Sequence, residues 1–364
     1  TGVAMRMDEQ RSMLADAVGR LFRDAAITQA AVADGWNAQL AQGVEALGLP
    51  LLLVPADAGG FGGCWEDAFV VLQAVGFHAI ALPIGETMVA ARLLATAGLD
   101  VPAGLLGLAA ASDGRVVGGR ASSAMLFTGE LSDVPWGADI DNVVAVVDAP
   151  DEKRADQAQR NVLRLTRAQA TSTRIRRNLA GEPRVTLHFE NAPAVAAHCP
   201  CPEAAHLRDY CALLRVAQAA GALEAALVRS VRYAKERVQF GRPIGTFQAI
   251  QHQLAILGSE AAAVACAARA ACHAADQGDA PFEIAAAKLR TNLAIDTGAG
   301  IAHQVHGAIG FTREYDLRHS TQRLWSWRSE FGNDHHWSER LGTIVAARGA
   351  AAFWPDLTAR EAAR

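Results

Sequence analysis

The chain has 364 residues, 51% of them hydrophobic, with 34 Lys and Arg against 38 Asp and Glu and a formal net charge of −4. That balance excludes global disorder and allows a large core in about two or three domains. It also argues against a nucleic-acid partner held by a basic face. The six cysteines form no paired CxxC knuckles. Cys199 and Cys201 flank a proline beside His198, a weak metal hint outweighed by two ordinary thiols, so no metal is expected. No charged and then apolar leader opens the chain, and no apolar run reads as long enough to span a bilayer. The expectation is a cytoplasmic protein with no membrane partner.

Residues 1–103 read as an N-terminal helical domain. "MRMDEQRSMLADAVGRLFRDA" places Met13, Leu14, Val18, Leu21 and Phe22 at helical spacing. "ALGLPLLLVPADAGGFGG" breaks the pattern with two prolines and several glycines, and "CWEDAFVVLQAVGFHAIALP" resumes it. Residues 104–196 change to short β-rich runs, "GLLGLAAA", "NVVAVVDA", "NVLRLTRA" and "RVTLHFENA". Alternation puts Val185, Leu187 and Phe189 on one face. This reads as a middle antiparallel β domain, with the charged segment 151–160 as a solvated loop. Residues 197–364 are helical again. Ala220, Leu223, Leu227, Val231 and Ala234 form one stripe; Phe247, Ile250, Leu254, Leu257, Ala261 and Val264 form another, as in a helix bundle. The fold class is mainly α with an inserted antiparallel β domain.

"YAKERVQFGRPIGTFQAIQHQLA" (233–255) is followed about fifty residues on by "HQVHGAIGFTREYDLRHSTQRLW" (303–325). Together with the domain order and "LVPADAGGFGGCWEDAFVVLQAVG" (53–76), these resemble the FAD-dependent acyl-CoA dehydrogenases. The resemblance implies their fold: a helical domain, a β-barrel-like middle domain and a C-terminal four-helix bundle. It gives Arg237 the FAD pyrophosphate, with Gln239 and Phe240 beside it. Phe247 and Ile250 would face the adenine end, with Gln248 as a polar handle. A neighbouring subunit would grip the same FAD through Gln304, Val305, His306, Gly307 and Ala308. An acyl-CoA substrate, an electron-transfer flavoprotein or similar acceptor, and a homotetramer or a heterotetramer with a second such chain are implied with it. Taken singly, Arg237 equally suits a helix C-terminus, and Phe240 and Phe247 equally suit a core.

The family reaction is α,β-desaturation of an acyl-CoA thioester. A carboxylate takes the α-proton while the β-hydrogen leaves as hydride to flavin N5, and such a base is worth ~10²–10⁴ in rate. In many members that glutamate sits in a Tyr-Glu-Gly-Thr element. Ungapped matching places Phe331 there, Glu330 one residue early, and Asn333 at the threonine, a further cofactor position. A second group takes its base from the start of the long C-terminal helix, where this chain has Cys211, with Asp209 two residues before. Glu330 is therefore the candidate base if its helix stops at Gly332 and Asn333. The stripe Leu317, Leu324, Trp327, Phe331 instead places it on another face. The element that backs the flavin is also altered: Asp133 stands in its tryptophan slot and Pro135 in its threonine slot, with Trp136 as a possible substitute, while Ser112 and Asp113 are what remains of another flavin-binding run. Three readings stay open: a self-sufficient dehydrogenase using Glu330, a half-site subunit of a heteromeric dehydrogenase acting on bulky steroid-like CoA thioesters, and a flavin monooxygenase or nitroalkane oxidase of the same fold.

Overall fold

The computed structural model describes residues 2–29, 36–117, 125–148, 160–278 and 280–362. It begins with four helices, α1 (Gly2–Gln29), α2 (Ala38–Ala46), α3 (Trp65–Phe77) and α4 (Ile84–Thr96). On α1 the stripe narrows to Val18 and Phe22, both fully buried, whereas Met13 is 71% exposed. The Pro- and Gly-rich break after α2 becomes two short 3-10 turns, Leu49–Leu51 and Ala56–Ala58. The start of α3 is held from two sides. Asp67 accepts from the Cys64 amide at 2.9 Å. Asp276 accepts from the amides of Trp65 and Glu66 at 2.6 and 3.2 Å, a carboxylate at the positive end of the helix.

Seven strands follow: β1 (Leu106–Ala109), β2 (Ala111–Val117), β3 (Met125–Pro135), β4 (Asn142–Asp148), β5 (Arg160–Thr166), β6 (Ser172–Arg177) and β7 (Pro183–His198). Their order is β1-β4-β5-β7-β3-β2, with β6 also on β7. Pairing is antiparallel except for β1 on β4, which run parallel from Leu106 opposite Asn142, a departure from the all-antiparallel expectation. β7 pairs with β3 from Arg184 to Ala194 and with β6 from Pro183 to His188, and its last residues pair with β5. One long strand thus bends the sheet around a core that contains Val185, Leu187 and Phe189. Of the charged segment 151–160, all but Arg160 lies outside the described residues.

The rest is helical: α5 (Pro202–Ala205), α6 (Leu207–Glu236), a two-residue hairpin β8 (Val238–Gln239) and β9 (Arg242–Pro243), α7 (Gln248–Asp276), α8 (Pro281–His306), α9 (Leu317–Ser329), α10 (Asp334–Arg348) and α11 (Ala350–Ala362). Helices α6 to α9 pack as a bundle, and α3 lies on α6 and α7. The expected architecture of helices, inserted β region and C-terminal bundle holds. One expectation does not: α6 and α7 are each long and apolar enough, by length and composition, to cross a membrane. For α6 the reason is plain, since most of its apolar window is buried as the central core helix. Most of the α7 window is not covered by this chain, and Ile256 is 48% exposed on it.

The crossing of α3 over α6 depends on two glycines. A Cβ on Gly76 would lie 1.8 Å from the Gln218 carbonyl oxygen, and one on Gly221 would lie 1.8 Å from that of Gln73. Backbone therefore meets backbone. Gly221→Ala is expected to lower unfolding free energy by a net ~1–2 kcal/mol, overpacking outweighing the gain in helix propensity. Denaturant titration measures this, and an unchanged midpoint would show that the helices can part.

Candidate functional site

Two separate regions carry the residues singled out by sequence. The first is the end of the bundle where α6 stops. Arg237 caps α6: its amide donates to the Tyr233 carbonyl and its own carbonyl accepts from the Ile244 amide, both at 2.8 Å. The chain then reverses through a two-residue turn with Phe240 at φ 53° and Gly241 at φ 77°. Both left-handed values suit a type I′ hairpin, but a phenylalanine there is strained. Phe240 is also 92% exposed. A strained and exposed aromatic gains nothing within this chain. Its ring meets Phe247 edge-on at 6.1 Å, and the Arg242 guanidinium lies 4.3 Å over the other side of the pair, on Phe247. Gln239 and Gln248 are exposed, and Ile250 is half-buried.

The second motif arrives at the same end. The residues around both motifs meet at this one end of the chain. Tyr233 of α6 stacks on His306 of α8 at 4.6 Å, and Tyr315 meets His306 at 5.0 Å. A surface cavity of about 410 Å³ is lined by Arg232, Tyr233, Glu236, Arg237 and Tyr315. Gln304, Gly307 and Ala308 are exposed, while the side chains of Val305 and His306 are buried and face inward. Gly307 has φ 62°, with no protein atom within 4 Å of where a side chain would start, so backbone is open to a ligand there. His306 Nδ1 lies 2.7 Å from the Ala302 carbonyl and so carries the proton. Its buried Nε2 has no partner among the described residues. Burial, with Arg229 and Arg232 nearby, lowers its pKa and keeps the ring neutral. Guanidiniums, exposed amides, a ring and an open glycine backbone fit an anionic dinucleotide. Asn333 is not at this end: it caps α10, its side chain accepting from the His336 amide at 3.0 Å.

The second region is a cleft of about 660 Å³ between the sheet and the bundle. Ala110, Ser132, Asp133 and Arg176 to Leu179 line one wall; Arg208, Ser326, Ser329, Glu330 and Phe331 line the other. Helix α9 does stop early, at Ser329, and Phe331 and Gly332 take φ of 60° and 128°. Glu330 therefore leaves the buried stripe of Leu317, Leu324 and Trp327 and enters the cleft. It does not arrive free. It accepts from Arg184 at 2.6 and 3.1 Å, from Arg215 at 2.7 Å and from Asn178 at 3.1 Å. Burial works against its charge, but Arg184 and Arg215 prevail and hold its pKa at about 2. A carboxylate so held is a poor proton acceptor at neutral pH. Glu330 thus reaches the cleft, but as a carboxylate already bound by two guanidiniums.

The ion pairs continue inward. Arg215 also donates to Glu86 at 2.6 Å and to Gln218 at 2.8 Å. Arg184 reaches Glu182 at 3.3 Å, and Arg323 reaches the other oxygen of Glu182 at 2.9 Å. Three carboxylates and three guanidiniums thus fill the base of the cleft. Beneath them Lys288 donates to Asn292 and to the carbonyls of Trp327 and Arg328 at 2.8, 2.6 and 3.1 Å, closing the end of α9. Burial lowers its pKa to about 7 against the pull of Glu330.

The other base position is no better placed. Cys211 is buried and its thiol pKa is raised by burial, and Asp209 is buried against Arg340. The flavin-backing element is also changed in kind. Asp133, at φ 55°, accepts from Nε and Nη2 of Arg176, each at 2.6 Å, within the same wall of the cleft. Pro135 offers no N–H. Trp136 is buried and packs edge-on against Trp36 at 6.0 Å. Ser112 donates to the Val146 carbonyl at 2.9 Å.

Sequence reasoning missed Arg184, Arg215, Glu86 and Glu182. The legible signal was a lone charge in an apolar window, as in "CALLRVAQAA" and "LPIGETMVAA". His335 and His336 diverge, His335 exposed and His336 against Trp337.

The family model "Acyl-CoA dehydrogenase, C-terminal domain" matches residues 209–333. The chain is 32% identical over 323 residues to the acyl-CoA dehydrogenase IpdE2 of Mycobacterium tuberculosis, covering 86% of this chain and 90% of that protein. Its fold matches the Tcur3481–Tcur3483 steroid ACAD G363A variant with a TM-score of 0.81, at 24% identity over 94% of this chain and 99% of that one. It matches the ChsE4–ChsE5 complex of M. tuberculosis with a TM-score of 0.77, at 19% identity over 92% and 96%. The chain thus belongs to the acyl-CoA dehydrogenase family and is an FAD-dependent oxidoreductase acting on the CH–CH bond of acyl-CoA thioesters.

Proposed function

We propose that this chain is one of two unlike subunits of an acyl-CoA dehydrogenase acting on a bulky, steroid-like CoA thioester. It holds the phosphate and adenine part of FAD at its bundle end, while the partner's cleft seats the flavin ring, the substrate and the catalytic base. When bound, FAD supplies the hydride acceptor. This chain's residues then bind and orient: Arg237 and Arg232 neutralise the pyrophosphate, Phe240 and Phe247 offer aromatic faces, and the Gly307 backbone approaches closely.

One observation carries the reading. The cleft and the cofactor end are too far apart to serve one FAD within a single chain. Twenty-two residues of helix separate Arg215 from Arg237, about 33 Å at ~1.5 Å per residue, farther than one FAD reaches from its pyrophosphate to its ring. The cofactor end therefore serves a ring held by another chain, and the α7 surface left uncovered supplies apolar area for docking. That the other chain differs from this one is supported by the neutralised Glu330 and the displaced flavin-backing element. Two proteins of the same fold, the Tcur3481–Tcur3483 steroid ACAD and the ChsE4–ChsE5 complex, pair two components.

Glu330→Gln tests the division of labour. In an assembly formed with a second, unlike acyl-CoA dehydrogenase chain, turnover is expected to stay within about threefold of wild type at equal flavin content. A loss of ~10²–10⁴, the worth of a general base, would return Glu330 to catalysis and make the chain self-sufficient.

A further inference from the structure

Cys199 and Cys201 lie outside the residues that line the two regions described above. They flank Pro200 between the end of β7 and the start of α5. Both are buried, and their sulfurs lie 3.2 Å apart. Cys199 Sγ also approaches the Leu93 carbonyl at 3.8 Å. The neighbouring His198 does not join them: its ring turns outward to the Arg160 carbonyl at 3.1 Å. Among the described residues, the three or more ligand side chains within reach of one ion are Cys64, Glu66 and Asp276, without this pair. The thiols therefore face each other and not a metal.

We propose that Cys199 and Cys201 are a reversible dithiol–disulfide site, oxidised by a small hydroperoxide. The Cys199 thiolate attacks a peroxide oxygen, breaking the O–O bond, releasing hydroxide and becoming a sulfenic acid. The Cys201 sulfur then attacks the Cys199 sulfur, forming the S–S bond and expelling water. Two thiols and one hydrogen peroxide thus give one disulfide and two waters. Closure from 3.2 Å to a bond of about 2.05 Å needs a sulfur shift of about 1.1 Å, within the reach of side-chain rotation. The contact between the two sulfurs draws the Cys199 pKa down against burial, favouring its thiolate. Cys201 is pushed up by the same contact and is the resolving thiol. Cys201 keeps 8% exposure, a path for an oxidant near the size of water. A ring closed over one intervening residue is strained, and strained disulfides are the easily reduced kind.

The test uses the folded full-length chain. It is exposed briefly to hydrogen peroxide, quenched, then unfolded in an alkylating reagent and digested. The peptide spanning 199–201 is expected to be two hydrogens lighter and unalkylated, and to regain both alkylation sites after dithiothreitol. In Cys201→Ser the sulfenic acid on Cys199 is expected to persist and to be trapped by dimedone, a product absent from wild type. Full alkylation of both residues in wild type, in a sample whose exposed Cys266 has been oxidised, would overturn the proposal. So would a dimedone adduct on Cys199 of wild type, or a disulfide formed only in denaturant.

Discussion

Replacing Arg215 by leucine is expected to cost about 3–5 kcal/mol of folding free energy, the range for breaking a buried ion pair by removing one partner. Arg215 is 3% exposed and joins two carboxylates, Glu86 and Glu330, from two different helical segments. Its loss leaves Glu86 buried with no guanidinium and Glu330 with Arg184 alone. Against a typical total of about 5–15 kcal/mol the change is severe. Replacing all three residues by apolar side chains of similar volume is expected to recover most of it, because the ions' desolvation cost goes with them. The same network sets a pH dependence. Glu330 has a folded-state pKa of about 2, below its ordinary value of 4.5. Its contribution is therefore complete above about pH 4.5 and is lost as pH falls toward 2. Urea titrations of wild type and Arg215→Leu at neutral pH measure the first effect. A difference under about 1 kcal/mol would mean that the cleft relaxes around the missing charge and that the network does not close it.

Arg237→Ala has the second large effect, and it falls on the cofactor. Hydrogen bonds to charged groups contribute ~1.5–3 kcal/mol. FAD affinity of the assembled enzyme is therefore expected to fall about 10- to 150-fold. The isolated chain is expected to be no less stable by more than ~0.5 kcal/mol, since Arg237 is exposed at a helix end. Flavin release followed by fluorescence on dilution measures the affinity. Equal retention in mutant and wild type would assign the pyrophosphate to other groups and leave Arg237 as a helix cap.

Much of this was legible in the sequence, for physical reasons. The helical stripes of α6 and α7 and the alternation of Val185, Leu187 and Phe189 are periodic, and periodicity survives in any environment. The segment after Arg237 was legible only through its joint occurrence with the second motif, since each residue taken singly equally suits a helix end or a core; its hairpin was not legible. Strand β6 was not legible: "STRIRR" is exposed along its whole length and carries no apolar face. The parallel pairing of β1 with β4 was not either, since pairing partners leave no local mark. Glu330 shows the deeper limit. Sequence placed it one residue from a catalytic position and raised an early helix stop as one possibility, and α9 does end there. The two arginines that hold it come from 115 and 146 residues away, and no local pattern reveals them. The same holds for the two cofactor motifs, whose meeting on one bundle end depends on Tyr233 reaching His306.

The flavin count per polypeptide tests the account most directly. The chain would be purified alone and together with a second, unlike acyl-CoA dehydrogenase chain, and bound FAD measured by absorbance after denaturation. The account predicts almost no flavin on the chain alone, and one FAD for each pair of unlike chains in the complex. One FAD per chain in the protein purified alone, bleached by an acyl-CoA thioester with no second polypeptide present, would contradict it.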